Sequence, residues 1–146
     1  MIVEIESLLP RMRARASEPT REEMAGFGPG WGAYAQVFWR PPPPVAGPIR
    51  NYPHVRFSID VAEAGTYGVT LVHTQAPDYG NARVFVQGTP RGDLAGYAPT
   101  VRTARVALGD IRLDAGVNEV VVTVLGKAAA STGFVVGLDR IELVRR

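Results

Sequence analysis

Val55-Arg-Phe-Ser-Ile-Asp-Val61 decides the fold. Val55, Phe57, Ile59 and Val61 fall on one side of an extended chain, and Arg56, Ser58 and Asp60 fall on the other. A period of two with one apolar side is the pattern of a strand that buries one face. Ala64-Gly65 turns the chain, and Tyr67, Val69, Leu71 and His73 then repeat the alternation. Two such runs joined by a short turn predict an antiparallel pair.

The same reading extends outward. Upstream, Ala33–Trp39 alternates and is stopped by Pro41–Pro44, which cannot sit in a central strand. Downstream, the turn chemistry of Ala76-Pro-Asp-Tyr-Gly-Asn81 predicts a loop, and Ala82–Gln87 a strand closed by Gly88. Residues 88–98 read as a longer connection. Strands are expected over Val101–Leu108, with an extension at Ile111–Leu113, then over Glu119–Leu125 and Phe134–Val144. Turn residues recur every ~8–12 positions, which predicts an all-β antiparallel sandwich of about eight strands over residues 31–146. Residues 1–30 read differently, as an irregular or helical N-terminal arm with a first short strand at Ile2, Val3 and Ile5. Thr20-Arg-Glu-Glu23 resembles a capping box and predicts a short helix at 20–25.

The chain has 146 residues, 46% apolar and 21% charged, which suits one folded domain. Cysteine is absent, so disulfides, thiolate nucleophiles and Cys-based zinc sites are excluded. Net charge is +2, carried almost wholly by arginine, since Lys127 is the single lysine. No basic block is interleaved with aromatics, which argues against nucleic acid. No apolar run approaches the ~18–20 residues of a membrane span. Met1–Pro10 lacks a basic n-region, so it does not read as a signal peptide; either secretion by that route is not expected, or a leader or larger parent has been removed.

No nucleophile elbow, phosphate loop or His-Glu-x-x-His zinc motif is present. With only His54 and His73, a histidine metal site would need carboxylates from elsewhere. His73, at a strand end, is a candidate rim residue that hydrogen-bonds either its neighbours or a ligand. Most aspartates sit at turns or strand ends, where local backbone bonding accounts for them. The aromatics say more. Sugars have apolar C–H faces and polar rims, so a flat ring beside a few hydrogen-bonding groups can hold one. Phe38 and Trp39 read as core. Trp31 and Tyr34, and above all Tyr79 and Tyr97 on Gly-rich loops, are candidate platforms. Gln75, Asp78 and Asn81 would supply hydrogen bonds on the same rim. The competing reading of Pro77–Asn81 is a tight turn with Gly80 at positive φ and Tyr79 packed over it.

The order of motifs resembles a known group. Val3-Glu-Ile-Glu6 comes first, then Trp31, Gln36, Phe38 and Trp39, then Phe57-x-Ile-x-Val61-x-x-x-Gly65-x-Tyr67 and Asp78-Tyr-Gly80. Ala82-x-Val-x-Val-x-Gly88, Leu113-x-Ala-Gly-x-Asn118 and Gly137-Leu-Asp-x-Ile-x-Leu143 come after these. Over residues 3–144 this resembles the galactose-binding-like jelly-roll accessory domains of bacterial glycoside hydrolases, with closest likeness to the fructofuranosidase and difructose-anhydride-forming type. The resemblance implies a jelly roll, glycan contact, an extracellular or cell-surface setting and a parent glycoside hydrolase. It also implies a calcium site near the opening acidic strand, for which Glu4, Glu6 and Asp139 offer hard oxygen ligands. Such domains often carry Asp-Gly in the hairpin where this chain has Gln87-Gly88.

Two functional readings emerge. One is a non-catalytic carbohydrate-binding or accessory module with no catalytic residues. The other is a self-assembling structural subunit of a filament or shell, a homo-oligomer joined through edge strands and the arm, whose Ile2, Ile5, Leu8 and Leu9 have no evident place in the sandwich. A small hydrolase ranks below both, because one sandwich of this size leaves little chain for a deep site.

Overall fold

The structure is a computed structural model that describes residues 1–146. It has eleven strands in two antiparallel sheets facing each other across one core. The strands are β1 (Ile2–Glu4), β2 (Arg13–Arg15), β3 (Thr20–Glu23), β4 (Ala35–Trp39), β5 (His54–Val61) and β6 (Gly65–Gln75). They continue as β7 (Asn81–Val86), β8 (Thr89–Leu94), β9 (Arg102–Leu113), β10 (Gly116–Gly126) and β11 (Val136–Arg145). One sheet runs β3-β4-β11-β6-β9 and gains β1 beside β11; the other runs β2-β5-β10-β7-β8. No helix is long and apolar enough to cross a membrane.

The alternation that predicted the strands also fills the core. Val55, Phe57, Ile59 and Val61 of β5 meet Val120, Val122 and Val124 of β10 and Leu71, Leu138 and Ile141 of the opposite sheet, all nearly inaccessible to solvent. A fully buried side chain of this kind contributes about 1.5–3 kcal/mol. Trp39 is wholly buried, and its indole donates to the Ser17 carbonyl at 2.8 Å.

Three expectations need correction. The N-terminal residues are not an arm. β1 pairs with β11, β2 with β5 and β3 with β4, so the segment joins both sheets. Ile5 is in the core, and Leu8 and Leu9 pack against it from a 3-10 helix over Ile5–Arg11. Of the apolar residues that suggested assembly, Ile5, Leu8 and Leu9 therefore have a place inside the domain, while Ile2 stays exposed on β1. The short helix expected at 20–25 is strand β3, since pairing Thr20 with Phe38 and Glu23 with Ala35 outweighs a local cap. Residues 88–98 are not a plain connection; β8 lies there as an edge strand, where Pro90 and Gly92 are tolerated. Gln87 and Gly88 both have positive φ, as a two-residue β7–β8 hairpin requires.

Three strands meet along β11 at one junction. β6 occupies one edge of β11 along its length. On the other edge β4 pairs with Val136–Leu138 and β1 with Arg140–Glu142, end to end. The register of β11 slips between Leu138 and Arg140, so Asp139 is the extra residue of a bulge at that junction.

Candidate functional site: a loop-end groove and an acidic junction

Across the outer face of the six-stranded sheet lies the segment from Met24 to Tyr34, with the 76–80 loop beside it. They bury a polar network. The Trp31 indole donates to Thr74 Oγ1 at 2.8 Å, and Thr74 in turn donates to Gln36 Oε1. The Gln36 amide donates to Tyr79 OH at 3.0 Å and to Glu22 at 2.7 Å. Gly137 lies beneath, with Gln36, Thr74 and Tyr79 so close that no side chain fits there. Burial raises the Tyr79 phenol well above its ordinary pKa.

Trp31 and Tyr79, expected as platforms, are thus buried and hydrogen-bonded. His73 is also buried, and burial pushes its pKa down to about 4. The other candidates mostly join loops. Gln75 donates to the Ala95 carbonyl at 2.8 Å and accepts from Arg102 at 2.8 Å. Asn81 accepts from Gly96 N–H at 3.3 Å, and Tyr97 forms a bridge with Ala76. Tyr34 is exposed, but it lies in the segment that covers the acidic junction. Gly80 does not take positive φ; it is required because Gly126 and Phe134 would sit 2.9 Å from any Cβ there. Of the expected set, Asp78 and the edge of Tyr79 reach one open groove, and Asn81 lines a separate recess of about 370 Å³ beside Asp93 and Lys127.

That groove lies where these loops meet. One part, about 230 Å³, is lined by Glu22, Phe27, Phe38, Arg40, Asp78 and Tyr79. A second part, about 340 Å³, continues past Arg40 and Asp78 to Phe134. Phe27 is 53% exposed and meets Trp31 edge to face at 6.3 Å. The Arg40 guanidinium lies 5.4 Å over the Phe38 ring. An exposed ring, a guanidinium and a carboxylate around one recess can hold a hydroxylated ring compound by stacking and hydrogen bonds. Sequence reasoning does not single out Phe27, Phe38 or Arg40 as ligand groups. For Phe27 a signal exists: an aromatic flanked by glycines in Gly26-Phe-Gly-Pro-Gly30 has little nearby to bury it.

The second feature is the acidic junction. The ligand oxygens of Glu4, Glu6 and Asp139 lie within 4.8 Å of one another. β1 ends at Glu4, the following turn presents Glu6, and the β11 bulge presents Asp139. Asp139 accepts from Gly32 N–H at 3.0 Å and pairs with Arg140. Glu4 Oε2 and Glu6 Oε2 are buried without a hydrogen-bond partner. Burial, reinforced by Glu4 and Asp139, pushes Glu6 up to about 7. Burial also pushes Asp139 up to about 6, against the pull of Arg140. Ala33 and Tyr34 both take left-handed backbone, held by Gly32 N–H on Asp139 and by Met24 N–H on the Tyr34 carbonyl at 2.6 Å.

No family model and no curated protein sequence matches the chain. Solved structures do. A family 35 carbohydrate-binding module from Clostridium thermocellum matches with a TM-score of 0.56 at 18% identity, over 99% of this chain and 98% of that one. Carbohydrate-binding modules share this fold. The CBM36-1 domain of a multidomain xylanase from the hindgut metagenome of Trinervitermes trinervoides matches with a TM-score of 0.59 at 14% identity, over 100% and 97%. A Paenibacillus xanthan lyase matches with a TM-score of 0.78 at 19% identity. The match covers 99% of this chain, which spans 13% of the lyase. The jelly-roll sandwich of these modules is therefore the fold seen here.

Proposed function

We propose that this chain is a non-catalytic carbohydrate-binding module that holds a glycan in the loop-end groove. The observation that carries this reading is the groove itself, where exposed Phe27 and the Arg40–Phe38 pair face Asp78. The rings offer stacking surface to a sugar's C–H face, and Arg40 and Asp78 offer a donor and an acceptor to its hydroxyls. Glu22, the other carboxylate there, accepts from the Gln36 amide at one oxygen, which fixes it against the buried network. Full-length likeness to modules of families 35 and 36 supports the reading. The lyase, of which such a domain is a small part, supports attachment to a larger secreted carbohydrate-active enzyme. The motif order keeps a fructofuranosidase-type parent within this proposal.

Calcium at the acidic junction belongs to the same proposal. Three carboxylates face one guanidinium, and two buried oxygens lack any partner. Hard oxygen ligands of this kind suit calcium, and Glu4, Glu6 and Asp139 would hold it. It would supply positive charge that fixes β1, the β11 bulge and the Trp31–Gly32 turn in one arrangement.

The test is titration calorimetry against a panel of soluble neutral plant and bacterial glycans, with Phe27→Ala and Arg40→Ala as variants. One glycan is expected to bind, with affinity falling roughly tenfold or more in each variant while melting temperature stays close to wild type. Binding that survives both substitutions would remove the groove from consideration.

A further inference from the structure

The outer face of the five-stranded sheet carries a second feature that the loop-end groove does not use. Pairing registers lay its outward residues in rows. One row reads Arg15, His54, Thr123, Arg83 and Asp93; the next reads Arg13, Arg56, Val121, Phe85 and Pro90. Ile49 and Arg50, from the turn before β5, rise beside these rows. They help enclose a groove of about 280 Å³ with His54, Phe85, Glu119, Val121 and Thr123. Across five strands the face is about 19 Å wide.

The charges on this face do not balance. Arg83 pairs with Asp93 at 2.8 Å, and Arg56 with Glu119 at 3.4 Å. Arg13, Arg15 and Arg50 are exposed and have no carboxylate partner. Arg13 lies directly across from Arg56. Like charges opposite one another in a sheet are unfavourable, and an anion laid over both relieves the repulsion.

We infer that this face binds an acidic polysaccharide, a polymer bearing both sugar hydroxyls and carboxylates. Arginine's planar fork matches a carboxylate in two parallel hydrogen bonds. Val121, Phe85 and Ile49 give an apolar floor and wall for sugar rings. The remaining groups call for hydroxyl donors. His54 Nδ1 donates to the Tyr52 carbonyl at 3.0 Å, which leaves Nε2 to meet a ligand hydroxyl. Glu119 keeps one carboxylate oxygen unpaired. A DNA backbone has no hydroxyls to meet these acceptors, and a single half-buried ring gives no series of platforms for bases. This site stands apart from the loop-end groove and would exist whether or not that groove takes a sugar.

Affinity gel electrophoresis with polygalacturonate in the gel tests the inference, with neutral galactomannan and single-stranded DNA as comparison polymers. Polygalacturonate is expected to retard the protein. The triple variant Arg13→Ala, Arg15→Ala, Arg50→Ala is expected to bind it roughly tenfold more weakly, the combined loss of three exposed ionic contacts. Arg50→Glu lies outside every strand and is expected to weaken binding in the same direction, which keeps the test decisive if the triple variant folds poorly. Phe27→Ala is expected to leave polygalacturonate binding unchanged, so this site and the loop-end groove can fail separately. The inference is overturned if polygalacturonate does not retard the protein, if Arg50→Glu binds as wild type, or if DNA binds as tightly through the same arginines.

Discussion

The outer faces of the two sheets have opposite fates. On the six-stranded sheet, Gln36, Thr74 and Gly137 face away from the core yet are buried, because residues 24–34 and 76–80 lie over them. On the five-stranded sheet, Arg56, Ser58, Asp60 and Glu119 point outward and stay exposed. The covered face behaves as a second, polar core. Its groups must satisfy one another, and recognition moves to the rim where the covering segments meet. The open face has no such constraint and can carry unpaired charge.

The largest expected effect comes from disturbing the covered face at its tightest point. A Cβ at Gly137 would stand 2.9 Å from Thr74 Cβ and from Tyr79 Cε2, and closer still to Gln36 Oε1. Gly137→Val is therefore expected to cost about 3 kcal/mol or more in urea unfolding, with the polar network broken. Ser58→Val, on the open face, is expected to change stability by about 0.5 kcal/mol or less. Equal costs at the two positions would mean that the contrast between the faces is wrong.

This contrast also marks how far the sequence could be read. The central strands were legible because alternation is local: Val55–Val61 shows its buried side within seven residues. β8 was missed because Thr89-Pro-Arg-Gly-Asp93 has no alternating apolar side, as an edge strand need not. β3 was misread because a cap-like Thr20–Glu23 spacing is local, while its pairing with β4 is not. The surroundings of the candidate site residues were hidden for the same reason. Nothing near Trp31 or Tyr79 in sequence says that one will hydrogen-bond Thr74 and the other Gln36. The acidic cluster was legible as a set only through the resemblance, since Glu4 and Asp139 stand at opposite ends of the chain.

A cation at the junction is expected to give the next largest effect. Burial raises the native pKa of Glu6 to about 7 and of Asp139 to about 6, above their ordinary 4.5 and 3.8. With no divalent ion, the native state then holds protons that the unfolded chain has released. The stability these two groups contribute is full below pH ~4 and declines as pH rises through their native values. Calcium favours the ionised carboxylates, so it should stabilise strongly at pH 8 and weakly at pH 5. At a concentration about a hundredfold above its dissociation constant, linkage gives about 2.7 kcal/mol, a rise in melting temperature of roughly 5–10 °C for a chain this size. Thermal melts in EDTA and in calcium at both pH values check this. Glu6→Gln should flatten both the pH trend and the calcium response. A melting temperature indifferent to calcium at pH 8 would rule out the cation.

The smallest effect asks whether the buried hydrogen bonds, or only the packing, distinguish the covered face. Trp31→Phe keeps an aromatic ring but deletes the indole N–H that Thr74 accepts. Thr74 still donates to Gln36, so no buried donor is orphaned; one acceptor site loses its partner. The expected cost is about 1–2 kcal/mol, most of it the lost hydrogen bond and the smaller ring. Arg83→Gln on the open face removes an ion pair with Asp93 that has two short contacts, at 2.8 and 3.1 Å. Water screens that pair, and its loss is expected to change stability little. The covered single bond should therefore outweigh the exposed double one in parallel urea titrations. If Arg83→Gln proves the costlier change, burial of the Trp31–Thr74–Gln36 chain adds nothing to its strength, and the covered face is held by packing alone.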